Sequence, residues 1–91
     1  MSMVIVTAQV SAVEEWEEQF RTHGDLFQKQ TISRVDIGST DDDYVACAFH
    51  VDDLDVFFEV MGAPETAEAM ENDGVDRETV KIFVLDQRFD P

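Results

Sequence analysis

Residues 11–27, SAVEEWEEQFRTHGDLF, space their large side chains as an amphipathic helix does. At 100° per residue, Val13, Trp16, Phe20, His23 and Phe27 fall within a sector of about 80°. Glu14, Glu15, Glu18 and Thr22 face away. The stripe holds the only tryptophan and one of two histidines. Ser11 with Glu14 three residues on reads as a capping box, each side chain satisfying a free N–H of the first turn. Gly24 lies inside this helix and weakens it by up to about 1 kcal/mol relative to alanine, or marks a bend or a close approach of another backbone. A stripe this apolar needs a surface to lie on, and any pocket the chain forms is walled by it.

The surface comes from segments with a period of two. Met3–Val10 alternates, with Val4, Val6, Ala8 and Val10 on one side and Ile5, Thr7 and Gln9 on the other. Ile32–Gly38 places Val35 and Ile37 opposite Arg34 and Asp36. After the turn-forming run Gly38-Ser39-Thr40-Asp41-Asp42-Asp43, Tyr44–Val51 sets Val45, Cys47, Phe49 and Val51 against Tyr44, Ala46, Ala48 and His50. The last two strands are expected to form an antiparallel hairpin. Asp52 or Asp53 then caps a second helix. Its main stripe is Leu54, Phe57, Phe58 and Met61, and Val56 and Val60 extend its apolar surface nearly all round, which predicts burial on most sides. Pro64 opens a short helix over 64–72, with Ala67 and Met70 inward and Gly74 just past its end. Glu78–Phe89 reads as a final strand, with Val80, Ile82 and Val84 on one face and Phe83, Leu85 and Phe89 on the other.

The order β-α-β-β-α-β predicts an α+β, ferredoxin-like fold: a four-stranded antiparallel sheet with both helices on one face. Ninety-one residues predict a single domain over 1–91, and a monomer this small gains from added burial. Whichever face the helices cover, the last strand leaves large apolar side chains on the other. Such a patch marks an interface, and about 800 Å² per partner is an ordinary amount to bury. The expected assembly is a homodimer, two sheets packed face to face.

Charge excludes several functions. Twenty-one acids against six bases give −15, so no nucleic acid and no anionic membrane surface is an expected partner. The acidic surface serves solubility or meets a basic protein. Cys47 is the only cysteine, so no internal disulfide forms. MSMVIVTAQV lacks the basic and long apolar regions of a signal peptide, and no apolar run nears the ~20 residues of a membrane span. The expected location is cytoplasmic.

Three segments carry a family resemblance: Trp16-x-x-x-Phe20-x-x-His23-Gly24, Phe49-His50-Val51-Asp52-Asp53-Leu54 and Ala63-Pro64-Glu65-Thr66-Ala67-Glu68-Ala69-Met70. With the short helix after a longer one, they make the chain similar to the dimeric α/β-barrel superfamily that includes antibiotic-biosynthesis-type monooxygenases, and closest to its small uncharacterised members. The resemblance implies a dimeric α/β barrel and a pocket in each subunit between sheet and helices. It does not carry an activity, because the superfamily spans monooxygenases, haem-degrading, dechlorinating and isomerising enzymes. The haem ligand of the haem-degrading branch, a histidine on the short helix, corresponds to Met70 here, and that branch's pocket tryptophan falls near Val60. No cofactor is implied.

His23 is the most interesting titratable group. It is either a general base for a phenolic or enolic substrate or a core histidine satisfied by a partner. His50 is placed at the barrel rim or the dimer interface. The two histidines have no carboxylate placed beside them and make a weak metal signal, and Asp41-Asp42-Asp43 reads as a solvated turn. Cys47 reads as a small buried hydrophobe. Trp16, Phe20, Phe27, Phe57, Met61 and Met70, with His23, suit a pocket for a flat or long apolar molecule. The reading is a homodimer binding a small, mostly apolar metabolite. A cofactor-free monooxygenase or isomerase using His23 is the alternative, and a non-catalytic interaction module with an acidic surface is a third.

Overall fold

β1 (Ser2–Val10) lies in the middle of a four-stranded antiparallel sheet and fixes the register of its neighbours. The structure, a computed structural model, describes residues 2–91. On one side β1 pairs with β3 (Tyr44–Val51), setting Val4 opposite Phe49, Val6 opposite Cys47 and Ala8 opposite Val45. On the other it pairs with β4 (Val75–Val84), with Val4 opposite Val84 and Val6 opposite Ile82. β2 (Ile32–Ser39) completes the order β2-β3-β1-β4. This is the ferredoxin-like arrangement, and the hairpin of the second and third strands is present. The sheet is open, not a closed barrel, with β2 and β4 as its edges.

Because side chains alternate along a strand, this register gathers Val4, Val6, Ala8, Val10, Val35, Ile37, Val45, Cys47, Phe49 and Val51 on one face. The helices cover that face. Val4, Val51 and Phe57 are the largest fully buried side chains. The parity of the last strand, open in the sequence, is also set: Ile82 and Val84 lie on the helix side, Phe83 on the open side beside Ile5. The helix layer does not reach over the end of β4, so residues on both its faces stay exposed.

The first helix is not one continuous element. It forms α1 (Val13–Phe20) and α2 (Gly24–Lys29), broken at Arg21–His23. Thr22 causes a local tightening: its hydroxyl and its N–H both donate to Gln19 O, at 2.6 and 3.0 Å. A side chain that competes for a helix carbonyl diverts the ladder. His23 then caps the restart. Gly24 has open space where a Cβ would sit, so no backbone approaches it closely.

The capping box is also absent. Ala12 occupies the N-cap of α1 with no side-chain bond. The free ends are held from elsewhere: Val13 N–H donates to Asp43 Oδ1 (3.4 Å), Val10 N–H to Asp43 O (2.9 Å) and Ser11 N–H to Gly74 O (3.0 Å). The Asp43 turn thus supplies what Ser11 and Glu14 were expected to supply.

The second helical region is α3 (Leu54–Met61), capped by Asp53, and α4 (Pro64–Asn72) with Pro64 in its first turn. α3 is not buried on most sides; only Phe57 is fully buried, and Phe58 is 44% exposed. On α4 Thr66 is also inward, buried with its hydroxyl on Val60 O (2.6 Å), while Ala67 and Met70 are half-buried. β4 starts at Val75 and ends at Val84, earlier at both ends than Glu78–Phe89. Leu85 N–H still reaches Met3 O (3.0 Å), but β1 offers no further partners beyond Ser2 among the described residues, and Phe89 is 83% exposed. No helix among the described residues is long and apolar enough to cross a membrane.

Gly74 joins α4 to β4 with φ +78°, and a Cβ there would overlap Ser11 Oγ. Gly74→Ala is expected to lower the unfolding free energy in urea by about 1–3 kcal/mol, from left-handed backbone strain and from displacement of Ser11. Combining it with Ser11→Gly should recover only the steric part.

Candidate functional site

Between the helices and the covered face of the sheet lies a cavity of about 80 Å³, partly open to solvent. Its floor is built from small side chains of the central strands: Val6, Ala8, Val45 and Cys47. Its walls are Trp16 and Phe20 from α1, Leu26 and Phe27 from α2, Phe49, Met61 from α3 and Met70 from α4. Rings meet along the wall, Trp16 against Phe20 at 4.7 Å between centroids and Phe20 against Phe27 at 4.8 Å. On the outer side of Phe20 and Phe27 an open groove of about 410 Å³ runs against Val35 and Ile37.

Of the residues read from sequence as a binding set, Trp16, Phe20, His23, Phe27, Met61 and Met70 are brought together around this cavity. Phe57 is not: it packs beneath Phe49 (6.1 Å) as fully buried core. His50 lies on the open face of the sheet, its Nε2 3.5 Å from Asp36 Oδ2. Among the described residues no three His, Cys, Asp or Glu side chains converge as a metal site.

His23 lines the cavity and its ring is held by a partner, as the second of its two expected roles requires. Its Nε2 lies 2.9 Å from Asp73 Oδ1 and 3.0 Å from Oδ2. An ionised carboxylate only accepts hydrogen bonds, so Nε2 carries the proton. Nδ1 has no partner among the described residues. Asp73 caps the C-terminus of α4, and its side chain is only 5% exposed. A buried carboxylate needs a donor, and His23 supplies it. The other polar side chains of the wall are used internally: Gln30 Nε2 donates to Met61 Sδ (3.3 Å) and Thr66 Oγ1 to Val60 O.

The sequence reading missed Asp73, finding no carboxylate placed near His23. A signal was present. Thr66, Met70 and Asp73 sit four and three apart, one stripe of α4 running into its end at Gly74. What no spacing shows is that this end meets a histidine fifty positions earlier.

The cavity is neither filled nor of the usual ligand size. Drug-sized molecules need about 300–1,000 Å³, and an apolar cavity of about 150 Å³ takes up benzene. Met61 and Met70 are half-buried and unbranched, the side chains best able to yield to a guest.

No protein-family model matches the chain, and no curated protein matches it in sequence. Solved structures do match, at 14–17% identity for the following three. A protein from Deinococcus radiodurans, provisionally assigned as an antibiotic biosynthesis monooxygenase, covers 100% of this chain and 96% of its own at 14% identity and a TM-score of 0.64. SnoaB, a cofactor-independent oxygenase from Streptomyces nogalater, is 17% identical over 98% of this chain and 93% of its own, with a TM-score of 0.67. An uncharacterised NIPSNAP-like domain protein from Burkholderia xenovorans covers 99% and 88% at 16% identity and 0.63. The chain therefore has the fold of the antibiotic-biosynthesis-monooxygenase-like proteins, as the resemblance implies.

Cys47, on the cavity floor, is 4% exposed, and burial pushes its thiol up to about 12 from its ordinary 9.0. The thiol stays neutral when folded but ionises near 9 once unfolded. Unfolding therefore releases a proton between these values, and stability falls as pH rises through that window, by at most about 1.4 kcal/mol per pH unit. Urea denaturation at stepped alkaline pH should show this slope, reduced in Cys47→Ala.

Proposed function

We propose that the protein is a homodimer that binds a small, mostly apolar molecule in the cavity between helices and sheet, with His23 as its polar contact. One observation carries the reading: a mostly apolar cavity whose wall presents one hydrogen-bonded histidine–carboxylate pair, His23 and Asp73, beside two flexible methionines. At about 80 Å³ the cavity is smaller than one that takes up benzene, so a single ring enters only as Met61 and Met70 yield, with any longer body extending toward solvent. The dimer is supported by the open sheet face, where Phe83 is 50% and Leu85 54% exposed near Ile5 and Met3. Large side chains exposed together are what an interface buries.

A second reading, a cofactor-free oxygenase or isomerase, is favoured by the held imidazole: a histidine oriented by a carboxylate is the usual form of a general base. The structural likeness to a cofactor-independent oxygenase is compatible with it at the level of fold. A non-catalytic module with an acidic surface needs no cavity and is the weaker reading.

Native mass spectrometry of the purified protein is expected to give twice the chain mass, with a small molecule retained in a fraction of the ions. A monomer at micromolar concentration, with no bound species, would sink the proposal. Phe83→Glu, which puts a charge on the open face, should weaken self-association at least tenfold, an ordinary loss for a central interface aromatic (about 2 kcal/mol).

A further inference from the structure

Three groups on the cavity wall can gain or lose a proton: His23, Cys47 and Asp73. Burial keeps the Cys47 thiol protonated at neutral pH, which leaves the pair of His23 and Asp73. The pair is oriented. Asp73 holds Nε2–H with both oxygens in reach, so the free lone pair of the neutral ring is on Nδ1. Asp73 also touches a second space. It lines an outer cleft of about 280 Å³ with Ser11, Glu15, Glu18 and Gln19, so it stands in the wall between the apolar interior and an acidic surface. Net charge is −15, and a surface of that sign repels anions from solution. An acid that reaches His23 therefore enters in its neutral form rather than as its anion.

We infer that the ligand is a weak acid, one O–H on an apolar body, which enters neutral and is held as its anion by the His23–Asp73 pair. The inference rests on the binding proposed above and names the chemistry of its ligand. In the step, the ligand O–H bond breaks and an N–H bond forms at His23 Nδ1. The electron pair stays on the ligand oxygen, and no other reactant is required. Total charge is unchanged: a neutral acid and a neutral imidazole become an anion and an imidazolium. Asp73 is the positioning residue. Its carboxylate fixes which nitrogen is free and offsets the imidazolium charge, an interaction that gains strength where water is excluded. Gln30 and Thr66, the other polar side chains of the wall, are neither acids nor bases near neutral pH, and the Cys47 thiol stays protonated, so no group outside the pair takes the proton.

Two probes test this without knowledge of the natural ligand. 4-Nitrophenol absorbs differently as phenol and as phenolate, and 4-nitroanisole has the same ring but no proton to give. Below the pH at which the free phenol ionises, adding the protein should raise the phenolate band of 4-nitrophenol. Asp73→Asn, which can still accept from Nε2–H but carries no charge, should lower the phenolate fraction of bound probe by about tenfold, one unit of proton affinity. His23→Gln should abolish the band. 4-Nitroanisole should bind the unaltered protein without any such band, and far-ultraviolet circular dichroism of each variant checks that it is folded. The inference alone is overturned if 4-nitroanisole binds while bound 4-nitrophenol stays neutral, or if Asp73→Asn keeps the full band. If neither probe binds the unaltered protein, the binding proposal fails and takes the inference with it.

Discussion

The pairing of β1 with β3 sets everything that the helices cover. Val4, Val6 and Ala8 stand opposite Phe49, Cys47 and Val45, and a slip of one residue would send this set to the open face. The same register explains why a cavity exists at all. Ala8, Cys47 and Val45 put small side chains at the centre of the covered face, while large ones, Phe49 and Val51, fill its end towards α3. Rings from α1 and α2 reach across the low centre without filling it.

The second determinant is the break in the first helical region. An unbroken helix would carry Trp16, Phe20, His23 and Phe27 along one line. The turn at Thr22–His23 instead ends that line and lets α2 restart, with His23 at its N-cap beside the end of α4. The contact with Asp73 links a helix start with a helix end in the wall of the cavity. It also places the one buried carboxylate of the site in a mostly apolar wall, a costly arrangement unless partnered. Thr31 makes a comparable link elsewhere: its hydroxyl accepts from Asp53 N–H (2.9 Å), tying the start of β2 to the cap of α3.

What the sequence made legible was periodic. Alternation in residues 3–10 and 44–51, and the apolar stripe of 13–27, are local patterns with few competing explanations, so the strands, their hairpin and the helix-covered face could be read directly. The departures came from interactions across the chain. Ser11 is a good capping residue by type, but its N–H is engaged by Gly74 and the helix end is held by Asp43, thirty residues on. The apolar run Ile82–Leu85, with Phe89 beyond it, continues past the point where a partner strand remains to pair with it. Phe57 and Phe58 have the same composition, yet only the first finds a buried position. The candidate site divides the same way: its aromatic and methionine walls follow from stripes, whereas Asp73 is recognisable only once α4 is set against the helix break.

The four methionines offer a direct test of where an apolar guest is held, because Met61 and Met70 line the cavity while Met3 lies on the open face of the sheet. Methyl-carbon NMR with methionine-labelled protein, titrated with toluene, reads all of these positions at once. The Met61 and Met70 methyl signals should shift together and saturably, with Met3 unmoved. Shifts at Met3 alone, or none at Met61 and Met70, would contradict a ligand site between the helices and the sheet.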